Sequence, residues 1–140
     1  MKNIWKCPKC KREFEKKSQV HSCRIYPEEK HFERKESAKP LYQELKKKVK
    51  QHVGPFKVES LPCCIHFVKD AFTFAGTFVL KDKIRVFFMS DHGLKTSRTY
   101  RTKPLSKNRI EYLIDIKEKK EIDKELLDWV KEAYGFRKGS

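Results

Sequence analysis

Three thiols and an imidazole crowd into Cys7-Pro8-Lys9-Cys10 and His21-Ser22-Cys23, within seventeen residues near the start of a 140-residue chain. Cys-x2-Cys is the shortest spacing at which two thiolates reach one tetrahedral ion from a tight turn, and Pro8 stiffens that turn. The ten residues before His21 leave room for a hairpin or helical turn that returns a second pair of ligands. The spacing predicts one structural Zn2+ held by Cys7, Cys10, His21 and Cys23. Phe14 and Val20, with Trp5 just outside, are the apolar groups available beneath it. So small a core does not fold alone, and metal binding would supply most of its folding free energy, on the order of 10 kcal/mol.

His21-x-Cys23 is tighter than the usual spacing on a finger helix, and in an extended strand the two side chains would point to opposite faces. The backbone therefore turns there, or one of His31, Cys63, Cys64 and His66 completes the site. Four protein donors leave no open position for substrate, so catalysis through this metal is not expected. The competing reading is a disulfide framework. Five cysteines are an odd number and no apolar leader follows Met1, which favours a reducing cytoplasm instead. No stretch has the length of an apolar membrane span, so no membrane association is expected.

Net charge is +15. Through residue 24, eight cations (Lys2, Lys6, Lys9, Lys11, Arg12, Lys16, Lys17 and Arg24) face only Glu13 and Glu15. Such a field attracts polyanions, of which nucleic acid is the commonest in a cell. A second run, Lys95, Arg98, Arg101, Lys103, Lys107 and Arg109 with Tyr100 among them, interleaves cations with an aromatic ring as single-strand binders do. The competing reading of both runs is a solvated lysine-rich surface. The candidate nucleic-acid contacts are Lys9, Arg12, Lys16, Lys17, Arg24, Arg98 and Arg101.

Beyond a zinc module at 1–24, the mixed-charge stretch 25–37 reads as a linker anchored by His31 and Phe32, followed by a domain over 38–140. Leu41, Leu45, Val49 and Val53 recur at helical spacing until Gly54-Pro55. Aromatic and β-branched residues then predict strands over Cys63–Val68, Phe72–Leu80 and Ile84–Met89, with a turn at Lys81-Asp82-Lys83. Along the second, Phe72, Phe74, Phe78 and Leu80 share one face, expected to be the core face. Asp91–Asn108 reads as a polar excursion with a short strand near Thr99–Thr102, and Ile110, Tyr112, Ile114 and Ile116 as a half-buried strand. Ile122, Leu126, Trp129, Val130 and Ala133 line a final helix. The expected fold is α+β, an antiparallel sheet of four to five strands covered on one face by an N-terminal and a C-terminal helix.

These residues carry a family resemblance. Trp5-x-Cys7-Pro8-x-Cys10-x-Arg12-x-Phe14 with Gln19-x-His21-Ser22-Cys23 resembles the zinc module on bacterial members of domain-of-unknown-function family 5655 (DUF5655). Ile122-Asp123-x-Glu125-Leu126-x-x-Trp129-Val130-x-Glu132-Ala133-Tyr134 resembles its closing helix, and Ile65-x-Phe67 with Phe74-Ala75-Gly76 its central strands. The resemblance implies an uncharacterised domain and brings no catalytic residues. Two positions depart from it: Lys11 stands where the finger usually has glycine, and Cys63-Cys64 where polar residues are more familiar.

Cys63-Cys64 could be a metal or redox pair, but adjacent cysteines on a strand point to opposite faces, so the two read first as small apolar residues. Asp91-His92 pairs an acid with an imidazole at a strand end, without a nucleophile in any recognisable motif. The leading expectation is a zinc-containing, non-enzymatic protein that contacts nucleic-acid phosphates with little base specificity. The alternatives are a protein-interaction adaptor with a purely structural zinc, and a small-ligand binder or enzyme using the sheet face near His66 and the Asp91-His92 loop. Elemental analysis is expected to return one zinc per chain, lost in Cys10→Ser. Retention of full zinc by that variant would move the site to other ligands.

Overall fold

In the computed structural model the described residues are 4–8, 13–14, 26–94 and 96–137. Strands β1 (Trp5–Lys6) and β2 (Glu13–Phe14) pair antiparallel, Trp5 opposite Phe14. Cys10, His21 and Cys23 lie outside the described residues, as do Lys9, Arg12, Lys16, Lys17 and Arg24. Glu28–Phe32 and Glu36–Ala38 form single 3-10 turns inside the stretch expected as linker, and Phe32 is buried in the core.

Helix α1 (Lys39–His52) begins with Pro40 in its first turn, where a missing N–H costs nothing, and buries Leu41, Tyr42, Leu45 and Val49. It stops at Gly54, whose φ of +148° suits glycine, and the space a side chain would take there is filled by the Tyr134 ring. Six strands follow: β3 (Lys57–Ser60), β4 (Ile65–Lys69), β5 (Phe72–Val79), β6 (Ile84–Ser90), β7 (Thr99–Ser106) and β8 (Arg109–Ile116). They form one antiparallel sheet in the order β3-β4-β5-β6-β8-β7. Helix α2 (Lys124–Tyr134) is capped by Asp123, whose carboxylate accepts from the Leu126 N–H at 3.1 Å, and buries Leu126, Leu127, Val130 and Ala133.

The α+β architecture is as expected, but six strands stand where four to five were expected. The short β3 offers one apolar side chain, Val58, to signal it. Strand β7 is longer than the expected Thr99–Thr102 because its side chains are almost all exposed, so no alternation marks it. It forms by hydrogen bonding to β8 through the two-residue turn Lys107-Asn108, with Ser106 opposite Arg109.

Both helices pack on one face, against Ile65 and Phe67 of β4, Ala75 and Val79 of β5, Ile84, Val86 and Phe88 of β6, and Tyr112, Ile114 and Ile116 of β8. The expected core face of β5 requires correction. Val68 pairs with Thr73 while Phe67 pairs with Ala75, so Phe74 is an extra residue in β5. A bulge of one residue inverts the alternation. Phe72 and Phe74 face the core before it, whereas Ala75, Thr77 and Val79 do so after it, and Phe78 turns to the other face. Buried Thr77 is satisfied by donating to the carbonyls of Phe78 and Arg85 at 3.0 and 3.2 Å.

Two backbone positions set opposite expectations. At Gly76 a Cβ would lie 2.3 Å from Phe87 Cζ and 2.4 Å from the Ile65 carbonyl. The β4–β5 turn places Asp70 and Ala71 at φ of +51° and +66°, the pair of values a two-residue hairpin demands and an alanine resists. Urea denaturation should therefore find Gly76→Ala destabilised by about 2 kcal/mol or more and Ala71→Gly stabilised by about 0.5 kcal/mol. Equal stability of Gly76→Ala and wild type would contradict the close approach of Phe87.

Candidate functional site

The face of the sheet turned away from the helices is open, and register assigns its residues in rows. Glu59, His66, Gly76, Phe87, Leu113 and Arg101 stand side by side across all six strands. Phe78, Arg85 and Asp115 form a second row, and Met89, Glu111 and Lys103 a third. Because Gly76 has no side chain, the Phe87 ring lies across β5, 5.4 Å from Phe78 and edge-on to the His66 ring at 5.7 Å. This leaves Phe87 only 8% exposed on a face that no helix among the described residues covers.

Beside Phe87 a cavity of about 410 Å³ is lined by Cys64, His66, Thr73, Met89 and Glu111 among others. Cys63 and Cys64 precede β4 in a bend that begins at Pro62 and is closed by reciprocal backbone hydrogen bonds between Leu61 and Cys64, at 2.9 and 3.3 Å. They are therefore not alternating strand residues, as expected from sequence, and their sulfurs meet at 2.9 Å. Cys64 Sγ lies 3.2 Å from His66 Nε2, and His66 Nδ1 lies 3.5 Å from Thr73 Oγ1. Burial, then the hydrogen bond with Cys63, pushes the Cys64 thiol well above the usual range, so it holds its proton. Of the reserve zinc ligands, Cys63, Cys64 and His66 thus gather with each other, while buried His31 bonds Ser60 Oγ at 3.0 Å.

The opposite end of the open face is cationic. Asp115 accepts from Arg85 Nε at 2.6 Å and from Lys83 Nζ at 2.9 Å, and these bonds hold its carboxyl below the usual range. The Tyr100 ring lies 3.5 Å from the Arg85 guanidinium yet stays 56% exposed. Arg101, Lys103 and Lys107 are exposed with no carboxylate partner among the described residues. Arg98, from the same basic run, is instead engaged with Asp123 and Glu125, both at 3.0 Å, and with the Glu121 carbonyl at 2.6 Å. It ties the start of the hairpin to the first turn of α2.

The Asp91-His92 pair lies across the molecule from the thiols, on the helix side. His92 Nδ1 is 2.8 Å from Asp91 Oδ1 and 3.3 Å from Glu132 Oε1 of α2. All three groups are exposed, and their contacts fasten the loop after β6 to α2. Sequence reasoning missed the thiol contact and the Phe87–Gly76 packing. The odd run Pro62-Cys63-Cys64, with proline breaking the strand, was the signal for the first. The second has no local signal, because the phase of β5 changes at a residue that reads like its neighbours.

Fold and surface together define a small α+β domain with one sheet face covered by helices and the other left open by the described residues, preceded by a two-stranded antiparallel pair, β1 and β2. Residues 28–137 match the family model described as Domain of unknown function (DUF5655), and the chain belongs to that family. No curated protein and no solved structure matches it. No helix among the described residues is long and apolar enough to cross a membrane.

His92 offers a direct check of the loop geometry. The Asp91 hydrogen bond, with Glu132 nearby, raises its pKa above the ordinary 6.5, and the same bond lowers Asp91 below 3.8. The His92 contribution to stability is complete below 6.5 and lost as pH rises through the folded value, while that of Asp91 is complete above 3.8 and lost as pH falls through its own. An NMR titration should place His92 above 6.5, moving down in Asp91→Asn and less so in Glu132→Gln. A wild-type midpoint at or below 6.5 would mean that the contacts are not populated in solution.

Proposed function

We propose that this is a small basic zinc-binding protein that binds nucleic acid without catalysis, gripping phosphates with little base specificity. The observation that carries the reading is the β7–β8 hairpin. From Tyr100 to Asn108 it is exposed, and it presents Arg101, Lys103 and Lys107, with no carboxylate partner among the described residues, beside the accessible Tyr100 ring. No acidic residue occurs between Asp91 and Glu111. Cations track a phosphate backbone while an aromatic face stacks on an unpaired base, a combination suited to single strands. Arg98 then acts by anchoring the hairpin, and the phosphate contacts fall to the three exposed cations.

The zinc module would supply a second basic surface through Lys9, Arg12, Lys16, Lys17 and Arg24. Trp5 pairs with Phe14 and Lys6 with Glu13, and Cys7 is buried at 3% exposure, as a ligand turned inward would be. Cys7, Cys10, His21 and Cys23 would hold a metal whose role is structural.

Fluorescence anisotropy of full-length protein with single- and double-stranded oligonucleotides over a salt series tests this reading. Reversing Arg101, Lys103 and Lys107 to glutamate should flatten the log-log salt slope by about 0.7 to 0.9 for each phosphate no longer neutralised. Reversing Lys16 and Lys17 should flatten it independently. Slopes unchanged in both variants, or no binding at low salt, would remove nucleic acid as the partner and leave a protein-interaction module in its place.

A further inference from the structure

We infer that Cys63 and Cys64 are a reactive vicinal dithiol that a hydroperoxide oxidises to a disulfide, with His66 as the base that frees Cys64. The site is separate from the basic hairpin and does not depend on nucleic-acid binding.

The geometry assigns each sulfur a different part. Cys63 is exposed and open to attack from solvent, whereas Cys64 is buried at the edge of the cavity. Their separation of 2.9 Å must close by less than about 1 Å to reach the roughly 2.05 Å of a disulfide. Proline at 62 and the paired Leu61 and Cys64 backbones hold the bend that brings the sulfurs together, so contact does not depend on a chance rotamer. Cys64, at the end of the bend, and His66, in β4, both line the cavity, and Nε2 lies 3.2 Å from Sγ. The imidazole is set from its far side by Thr73 Oγ1 and across its plane by the edge of Phe87. A buried thiol that keeps its proton is inert until a base removes it, and this imidazole is in position to do so.

The oxidation balances in two steps. Cys63 gives up its thiol proton to solvent and its sulfur attacks the terminal oxygen of the hydroperoxide. The O–O bond breaks, leaving a Cys63 sulfenic acid, and the departing alkoxide, or hydroxide from hydrogen peroxide, takes a proton from solvent and leaves as an alcohol or water. His66 Nε2 takes the Cys64 proton, and the Cys64 sulfur displaces the sulfenic oxygen from Cys63. That oxygen leaves as water with the proton from His66. Two thiols are oxidised to one disulfide and one peroxide is reduced. Adjacent Cα atoms lie about 3.8 Å apart, below the roughly 4.4 Å where ordinary disulfides begin, so the ring is strained and a small thiol reopens it easily.

Trypsin releases residues 58–69 as one peptide that holds both cysteines and none of the finger's. After treatment of the zinc-loaded full chain with one equivalent of hydrogen peroxide and alkylation, this peptide should be unalkylated and lighter by two hydrogens, and revert with dithiothreitol. In Cys64→Ser, Cys63 should accumulate as a sulfenic acid trapped by dimedone. In His66→Gln the disulfide should form at least about tenfold more slowly while dimedone capture rises. Two alkyl groups on the peptide after peroxide would overturn the inference, as would disulfides from Cys63 to other cysteines. A His66→Gln rate equal to wild type would remove the histidine from the step. If either variant failed to fold, the wild-type peptide map alone would decide whether the vicinal disulfide forms.

Discussion

One extra residue in the second long strand decides which side chains each face of the sheet displays. Phe74 has no partner in the ladder between Val68–Thr73 and Phe67–Ala75, and the strand changes phase across it. Before that point the large rings of Phe72 and Phe74 fill the core near Phe56 and Tyr134. Beyond it the core side of the strand carries Ala75, Thr77 and Val79, small enough for helices to lie close. The displaced bulk of Phe78 passes to the open face, where with Phe87 it builds one wall of the cavity. Without the bulge, Gly76 would face the helices and Phe87 would have no gap to cross.

The helices depend on that arrangement and reinforce it. Each is amphipathic, but their ends are held by groups far away in sequence. Lys48 donates to the Ile122 carbonyl at 3.1 Å, His52 meets Asp128 at 2.8 Å, and the Tyr134 hydroxyl donates to the Pro55 carbonyl at 2.7 Å. Phe88 stacks between Tyr112 and Trp129, both at 5.8 Å, joining the sheet centre to α2. Individually such exposed links contribute little. Their value is positional, since they set where α2 ends and therefore where Glu132 meets His92 and where Arg98 finds Asp123.

The surplus of positive charge is not spread evenly. On the helix side several cations have carboxylates near: Lys39 with Glu29, Lys46 with Glu28, Lys48 with Glu44, Lys124 with Asp128. On the open face Asp115 takes up Lys83 and Arg85, and the cations of the hairpin beyond it are left without carboxylates among the described residues. The two ends of that face therefore differ in chemistry: thiols, imidazole and an apolar hollow at the β4 end, cations and an exposed ring at the β7 end. A proposed phosphate grip and a proposed dithiol can occupy one sheet face without sharing a residue.

How much of this the sequence determined follows from the range of each signal. Helices α1 and α2 and the strands β6 and β8 were legible because their apolar residues repeat at the period of the element they form, and that repeat is local. The exposed basic run was legible as a run because residue type alone marks it. The limits of β7, the existence of β3 and the phase of β5 were not, since each is set by hydrogen bonds to a neighbouring strand and leaves no periodic trace. The meeting of Cys63, Cys64 and His66, and the commitment of Arg98 to α2 while Arg101 has no carboxylate partner among the described residues, were decided by tertiary structure alone. A sequence states which groups a chain carries, but which of them end within hydrogen-bonding reach of one another depends on how distant segments pack.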